Sequence, residues 1–229
     1  MRAHATAQLT GDRSHQCDAT ATFTHRGARS YALLDGIGSN DEVRDWARTT
    51  ARRLARAAAR EGAEPGLRAV HAAIAADPAR QDPYTELPCA VAVVAVVSDQ
   101  RLQVAWCGDS RAYLLPPGAR EAVCLTADHN MRRQLQDMGL TPGPYDRNLV
   151  TSYLGDTRPD WLLGTRSVPA GGRLLLASDG AYEPLEDAGA DLAAHLAGTP
   201  QAAARALVAA AVAHATGPAD NATALVADL

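Results

Sequence analysis

Three aspartates stand beside glycine at the ends of apolar runs. They occur in Leu33-Leu34-Asp35-Gly36-Ile37-Gly38, in Trp106-Cys107-Gly108-Asp109-Ser110-Arg111 and in Leu175-Leu176-Ala177-Ser178-Asp179-Gly180. A fourth, Asp220, precedes Asn221 and the last apolar run; a fifth, Asp18, closes the polar stretch that begins at Arg13. A strand end holds a carboxylate on a rigid frame, and an adjacent glycine lets a backbone carbonyl or a ligand come close. Carboxylates that converge cannot all stay ionised without a cation. Oxygen donors without clustered His or Cys favour hard ions such as Mg²⁺ or Mn²⁺ over zinc. Two such ions about 3.5–4 Å apart can share a water, lower its pKa and aim it at phosphorus. Any one of these Asp-Gly pairs alone reads as a turn cap. Together they read as a metal-dependent phosphate chemistry.

The elements that must carry them alternate between apolar runs and helical stretches. Ser30 to Leu34 predicts a short strand ended by Asp35-Gly36. Asp41 to about Ala76 predicts helix, with Trp46, Leu54, Leu67, Val70 and Ile74 on the inner face, cut in two by Glu61-Gly62 and Pro65-Gly66. Residues 77–88 read as a loop. Cys89 to Val97 and Arg101 to Cys107 predict a hairpin across Ser98-Asp99-Gln100, its first strand apolar throughout and so buried on both faces. Ala112 to Leu115 predicts a strand that Ala122 to Leu125 pairs with. Asp128 to Met138 predicts a helix, and residues 139–148 a Gly/Pro-rich surface loop. Leu149 to Leu154, Arg173 to Ala177 and Ala222 to Val226 predict strands, with helices near 189–197 and 200–215. No internal repeat or dividing linker appears, so 1–229 reads as a single α+β domain.

Composition excludes several classes. The chain has 229 residues, a size one core can serve up to roughly 250 residues. Its 47% hydrophobic content is too high for disorder. Cys89 to Val97, the longest apolar stretch, is half of what a membrane helix needs, and the N-terminus lacks the apolar core of a signal peptide. The expectation is a cytoplasmic protein without membrane contact. The net charge is −4, and the 22 basic residues, all arginine, form no dominating block, which argues against nucleic acid as a partner. Cys17, Cys89, Cys107 and Cys124 include no CxxC pair and read as free thiols.

The order of these segments resembles the metal-dependent protein phosphatases of the PPM family, the type 2C serine/threonine phosphatases, in their bacterial form. The matching segments are Arg13 to Asp18, Asp35-Gly36-Ile37-Gly38, Gly108-Asp109-Ser110-Arg111, Leu125 to His129, Arg147 to Thr151, Ser178-Asp179-Gly180 and Asp220-Asn221. The resemblance implies a central antiparallel β-sandwich flanked by helices on both sides, a four-layer αββα fold. It implies hydrolysis of phosphoserine and phosphothreonine on proteins by a water activated between two Mn²⁺ or Mg²⁺ ions, without a phospho-enzyme intermediate. By that resemblance Asp35 bridges the metals, the Gly36 carbonyl binds one of them, and Asp179 and Asp220 complete the other shell. Asp18 acts mainly through metal-bound water, Asp109 joins Asp179 at a third, weaker metal site, and Arg13 holds the substrate phosphate. Residues 129–147 take the place of the flap. The implied partners are phosphorylated proteins, a Ser/Thr kinase or its targets among them, met by a monomer.

The chain departs from the family pattern at named positions. Cys17 stands where members carry Glu or Gln, and a thiol is a poor donor for Mg²⁺ or Mn²⁺. Gln16 replaces the common Asn, Ser39 a glycine, and Ile37 the histidine of eukaryotic members, so leaving-group protonation falls to metal-bound water. Glu183 stands in place of a third-site aspartate. The eroded Gln16-Cys17 pair keeps a second reading open, a pseudophosphatase that binds without turnover; a third is a phosphatase of small metabolites. His129 reads as a structural histidine, His15 and His25 as surface residues, Trp46, Trp106 and Trp161 as core or cleft walls, and Arg111 as a structural pairing residue.

Overall fold

The computed structural model describes residues 3–82 and 85–229. The chain opens with β1 (His4–Leu9), β2 (Ala19–His25) and β3 (Ala28–Gly36), followed by α1 (Asp41–Glu61) and α2 (Ala63–Ala75). Next come β4 (Ala90–Ser98), β5 (Arg101–Cys107), β6 (Arg111–Leu115), β7 (Val123–Cys124), α3 (Met131–Asp137) and β8 (Gly164–Pro169). The last part holds β9 (Arg173–Ala177), α4 (Asp179–Asp187), α5 (Pro200–His214) and β10 (Ala222–Asp228). One sheet has the order β1-β10-β9-β6-β7 and the other β2-β3-β4-β5-β8. Every pairing between named strands is antiparallel.

The four layers follow from the two-residue period of the strands. On β3, Tyr31 and Leu33 face the other sheet, while Ala32 and Leu34 face α1 and α2. On β9, Leu174 and Leu176 meet the first set between the sheets, and Leu175 and Ala177 turn to α4 and α5. β4 is buried along both faces because one side touches helices and the other the opposite sheet. The alanine-rich stripes Ala47, Ala51, Ala55 and Ala58 on α1, and Ala203, Ala204 and Ala211 on α5, let helices lie close on sheets whose facing residues are themselves small. α1 starts where the Asn40 side chain accepts the Val43 N–H, with Asp41 and Glu42 in the first turn.

Several expectations need correction. Leu149 to Leu154 is no strand; only the isolated bridges Asn130–Val150 and Ala90–Leu154 form, because the chain leaves a single turn at Asp146–Asn148 and turns away again at Gly155. The helix near 189–197 is only a 3₁₀ stretch, Leu192–Leu196, while α4, which was not expected, lies just upstream with Pro184 inside it. Ala122 to Leu125 shrinks to the two residues of β7. The helix expected from Asp128 starts at Met131, since the Asn130 side chain caps it by accepting the Arg133 N–H. β1, β2 and β8 carry too much Thr, Ala and Arg to signal a strand, and all three are sheet edges. The 77–88 loop contains a 3₁₀ turn, Pro78–Gln81; its residues 83 and 84 lie outside the described residues. His15 and His25 are half-buried rather than exposed. The four cysteines are free thiols, and among the described residues no helix is long and apolar enough to cross a membrane.

Candidate active site

Register brings the aspartates to one edge of the sandwich. Asp35 pairs with Val91 and Gly36 with Ala90 near the start of β4. Cys107, at the end of β5, pairs with Ala92, which sets Gly108-Asp109 beside that strand end. On the other sheet Ala177 sits between Ala224 and Arg111, so Ser178-Asp179 leave the sheet next to Asp220-Asn221. Ala19 opposite Leu34 puts Asp18 behind Asp35. Gly108 has a φ of +101°, and a Cβ there would lie 2.2 Å from Val91 Cγ1. Only glycine turns the chain so close to the neighbouring strand.

A cleft of about 310 Å³ opens over this edge, lined by Arg13, Asp35, Gly36, Asp109, Asp179 and Asp220 among others. Asp18 lies beneath it, fully within the protein. Its Oδ2 accepts the Ser178 hydroxyl at 3.0 Å, and its Oδ1 is buried without a hydrogen-bond partner. Asn221 fastens three loops: its Oδ1 accepts the Cys17 N–H at 2.7 Å, and its Nδ2 donates to the Thr10 carbonyl at 2.9 Å. Asp12 N–H donates to the Ala219 carbonyl, and the Ala219 N–H to the Asp12 carboxylate, both at 2.8 Å. That zipper holds Arg13 against Asp220, with Nη2 2.6 Å from Oδ2.

The electrostatics are those of crowded acids. Burial, with Asp179 adding to it, pushes Asp18 up to about 7. Burial first, then Asp18, Asp179 and Asp109, lift Asp35 well above the ordinary carboxylate range. Asp109 is lifted by burial and Asp179, and Asp179 by burial and Asp220. Glu183, on the cleft wall, is pushed up to about 7 by burial and Asp179, against the pull of Arg147. Each shift states the same thing: this arrangement lacks positive charge.

The donor set fits a hard divalent ion. It consists of oxygen atoms, leaves a buried carboxylate oxygen orphaned at Asp18, and repels itself until a cation enters. Among the described residues no three His, Cys, Asp or Glu side chains close around one point. Mg²⁺ keeps several waters and takes few carboxylates directly.

The family model described as protein phosphatase 2C matches residues 9–135. The chain belongs to that family. The phosphatase 2C chain is 31% identical over 180 residues to the serine/threonine protein phosphatase PstP of Mycobacterium tuberculosis (strain H37Rv), covering 71% of this chain and 34% of the relative. It thus spans about a third of the length of the curated relatives it matches. Among solved structures, the S. agalactiae serine/threonine phosphatase superposes over 100% of both chains with a TM-score of 0.83 at 20% identity, a likeness of fold. The M. tuberculosis PstP/Ppp structure gives a TM-score of 0.76 at 28% identity over 100% of this chain and 98% of that one. A PstP catalytic domain in complex with two manganese ions gives 0.73 at 28%, over 99% and 97%.

Family membership directs attention to what the sequence reading left out. Arg147, Asn148, Val150 and Val91 also line the cleft; the Arg147 to Thr151 segment was legible as a motif but not as a wall. Arg147 pairs with Glu183 at 3.3 Å and with Asp187 at 2.8 Å, tying the segment before it to α4. Cys17, in contrast, is buried beneath Gly36, a Cβ on which would lie 3.1 Å from the Cys17 Cβ, and its thiol points to the Asn40 carbonyl. Arg111 grips Asp128 with two hydrogen bonds of 2.8 and 2.7 Å and lies 4.0 Å over the Tyr182 ring, whose hydroxyl donates to the Asp109 carbonyl at 2.9 Å. His129 holds the Gly108 turn, its N–H donating to the Gly108 carbonyl at 2.9 Å; burial lowers the pKa of its ring. Both are positioning residues.

Proposed function

We propose that this chain hydrolyses phosphoserine and phosphothreonine esters on proteins with two Mn²⁺ or Mg²⁺ ions in the cleft, as one catalytic domain spanning 1–229. The observation that carries this reading is the meeting of Asp35, Asp109, Asp179 and Asp220, from both sheets, with Arg13 in one cleft. Asp35, the Gly36 carbonyl, Asp179 and Asp220 would hold the two ions, Asp18 would act from below through water, and Asp109 would serve a third, weaker position beside Asp179. When bound, the ions would supply Lewis acidity and a nucleophile from solvent.

The chain's own residues then bind and orient. Arg13 leaves Asp220 and offers its planar fork of donors to the phosphoryl oxygens, where charge develops in the transition state. Arg147 and Glu183 bound the cleft on the flap side, and Ile37 gives an apolar rim with no proton to donate. Tyr182 and His129 keep Asp109 and its glycine turn in place through the backbone bonds described above. The reading places the protein among phosphorylated substrates in the cytoplasm, acting as a monomer.

The test is phosphate release from a phosphothreonine peptide with Mn²⁺, Mg²⁺ or EDTA, beside Asp179→Ala. Turnover that requires metal and vanishes in the variant is the expected result. The buried, averted Cys17 favours a second reading, a binding module with a weakened metal site. Calorimetry separates them, since that reading allows at most one bound ion.

A further inference from the structure

A second groove, about 340 Å³, opens on the far side of Arg147 and Glu183, and those two side chains line it and the catalytic cleft alike. A chain lying in the cleft therefore enters the groove by passing one ion pair. Its other walls are α3, α4 and the segment after β7. An extended chain advances about 3.5 Å per residue, so a groove that shares a wall with the cleft is met by residues flanking the one in the cleft.

The charges in this groove are nearly all spoken for. Asp128 and Glu186 both pair with Arg111, and Glu183 pairs with Arg147. Arg133 pairs with Asp137 one turn along α3. Arg132 alone among the four lining arginines has no ion pair among the described residues. An incoming acidic side chain thus finds a free guanidinium. An incoming basic one finds every lining carboxylate already paired with Arg111 or Arg147. The neutral polar neighbours Asn130 and Gln136 give an extended peptide polar surface on either side.

We infer that this groove is a substrate subsite that takes an acidic residue flanking the phosphorylated one, with Arg132 as the residue that selects it. The inference rests on the phosphatase reading above and adds the sequence class of the substrate. Arg132 acts on flanking residues and touches neither the phosphoryl group nor the proposed metal ligands.

The test uses the whole chain with Mn²⁺ and phosphothreonine peptides bearing Glu, Gln or Arg at flanking positions on either side. Wild type should rank Glu over Gln over Arg on one side only, by about threefold to fivefold in kcat/KM between the extremes, the range of an exposed ion pair. Arg132→Glu should reverse that order, and Arg132→Lys should keep it. Para-nitrophenyl phosphate, which has no flanking residue, should be turned over alike by all three proteins. No ranking in wild type, or the wild-type order surviving in Arg132→Glu, overturns the subsite. Failure to turn over even para-nitrophenyl phosphate would instead overturn the phosphatase reading, and fluorescence anisotropy of the same labelled peptides would still decide the groove by rank.

Discussion

In protein stripped of divalent ions, Asp18→Asn should stabilise the fold at neutral pH and do so much less in mild acid. Asp18 is pushed up to about 7 in the folded chain, from 3.8 when exposed. Between those values the folded state keeps a proton that the unfolded state has released, so this group's contribution falls as pH rises and is exhausted near neutrality. At 1.36 kcal/mol per pH unit, the stretch from about pH 5.5 to about pH 7 is worth about 2 kcal/mol. For a chain of this size that is about 4–8 °C in Tm. Asparagine removes the ionisation but can still accept the Ser178 hydroxyl, so the packing beneath the cleft survives. His71 and His129, whose pKa values burial lowers, pull the wild-type curve the other way, since stability they lose in acid returns as pH rises. The decisive quantity is therefore the Tm gap between variant and wild type, read by scanning calorimetry in EDTA at the two pH values. A gap that is equal at both, or larger in acid, would refute the claim that crowded carboxylates set the stability of the metal-free protein. Added Mn²⁺ should raise wild-type Tm and narrow or reverse the gap at neutral pH, because the cation replaces the proton.

Three further outcomes follow from the same geometry. Arg13→Gln should lower kcat/KM by about 10²-fold or more, yet bind Mn²⁺ no more weakly by calorimetry, because it frees the Asp220 oxygen now held at 2.6 Å; weaker Mn²⁺ binding would show that Arg13 supports the metals rather than competing with them. Peroxide should leave the activity of wild type and Cys17→Ser alike, since burial pushes the Cys17 thiol up and leaves little thiolate to oxidise; inactivation of wild type alone would make Cys17 a switch. Gly11→Ala should cost about 1–3 kcal/mol in chemical denaturation, because Gly11 has a φ of +62° and its Cβ would lie 2.4 Å from the Asp220 carbonyl oxygen. An unchanged midpoint would mean that the Asp12–Ala219 zipper yields freely.

The sequence by itself determined the donors and most of the frame. Asp35, Asp109, Asp179 and Asp220 were legible because strand-end aspartates beside glycine are a local pattern, and β3, β4, β5, β6, β9 and β10 because apolar runs of the right length mark buried strands. Three edge strands were not legible: β1 and β8 draw their hydrogen bonds from a neighbour far along the chain, β2 pairs with the next strand β3, and the Thr, Ala and Arg of all three carry no local signal. α4 was not among the expected helices; it carries Pro184 in its interior and is held by burial of Tyr182 and Leu185, which only the packed structure supplies. Tertiary structure alone decided that Arg13 faces Asp220, that Cys17 lies under Gly36 instead of in the cleft, and that Arg147 divides two openings. Those facts depend on which loops meet, and loops meet where strand register and layer packing bring them. Residue type is written in the chain; the distance between residues 207 positions apart is a property of the sheets that hold them.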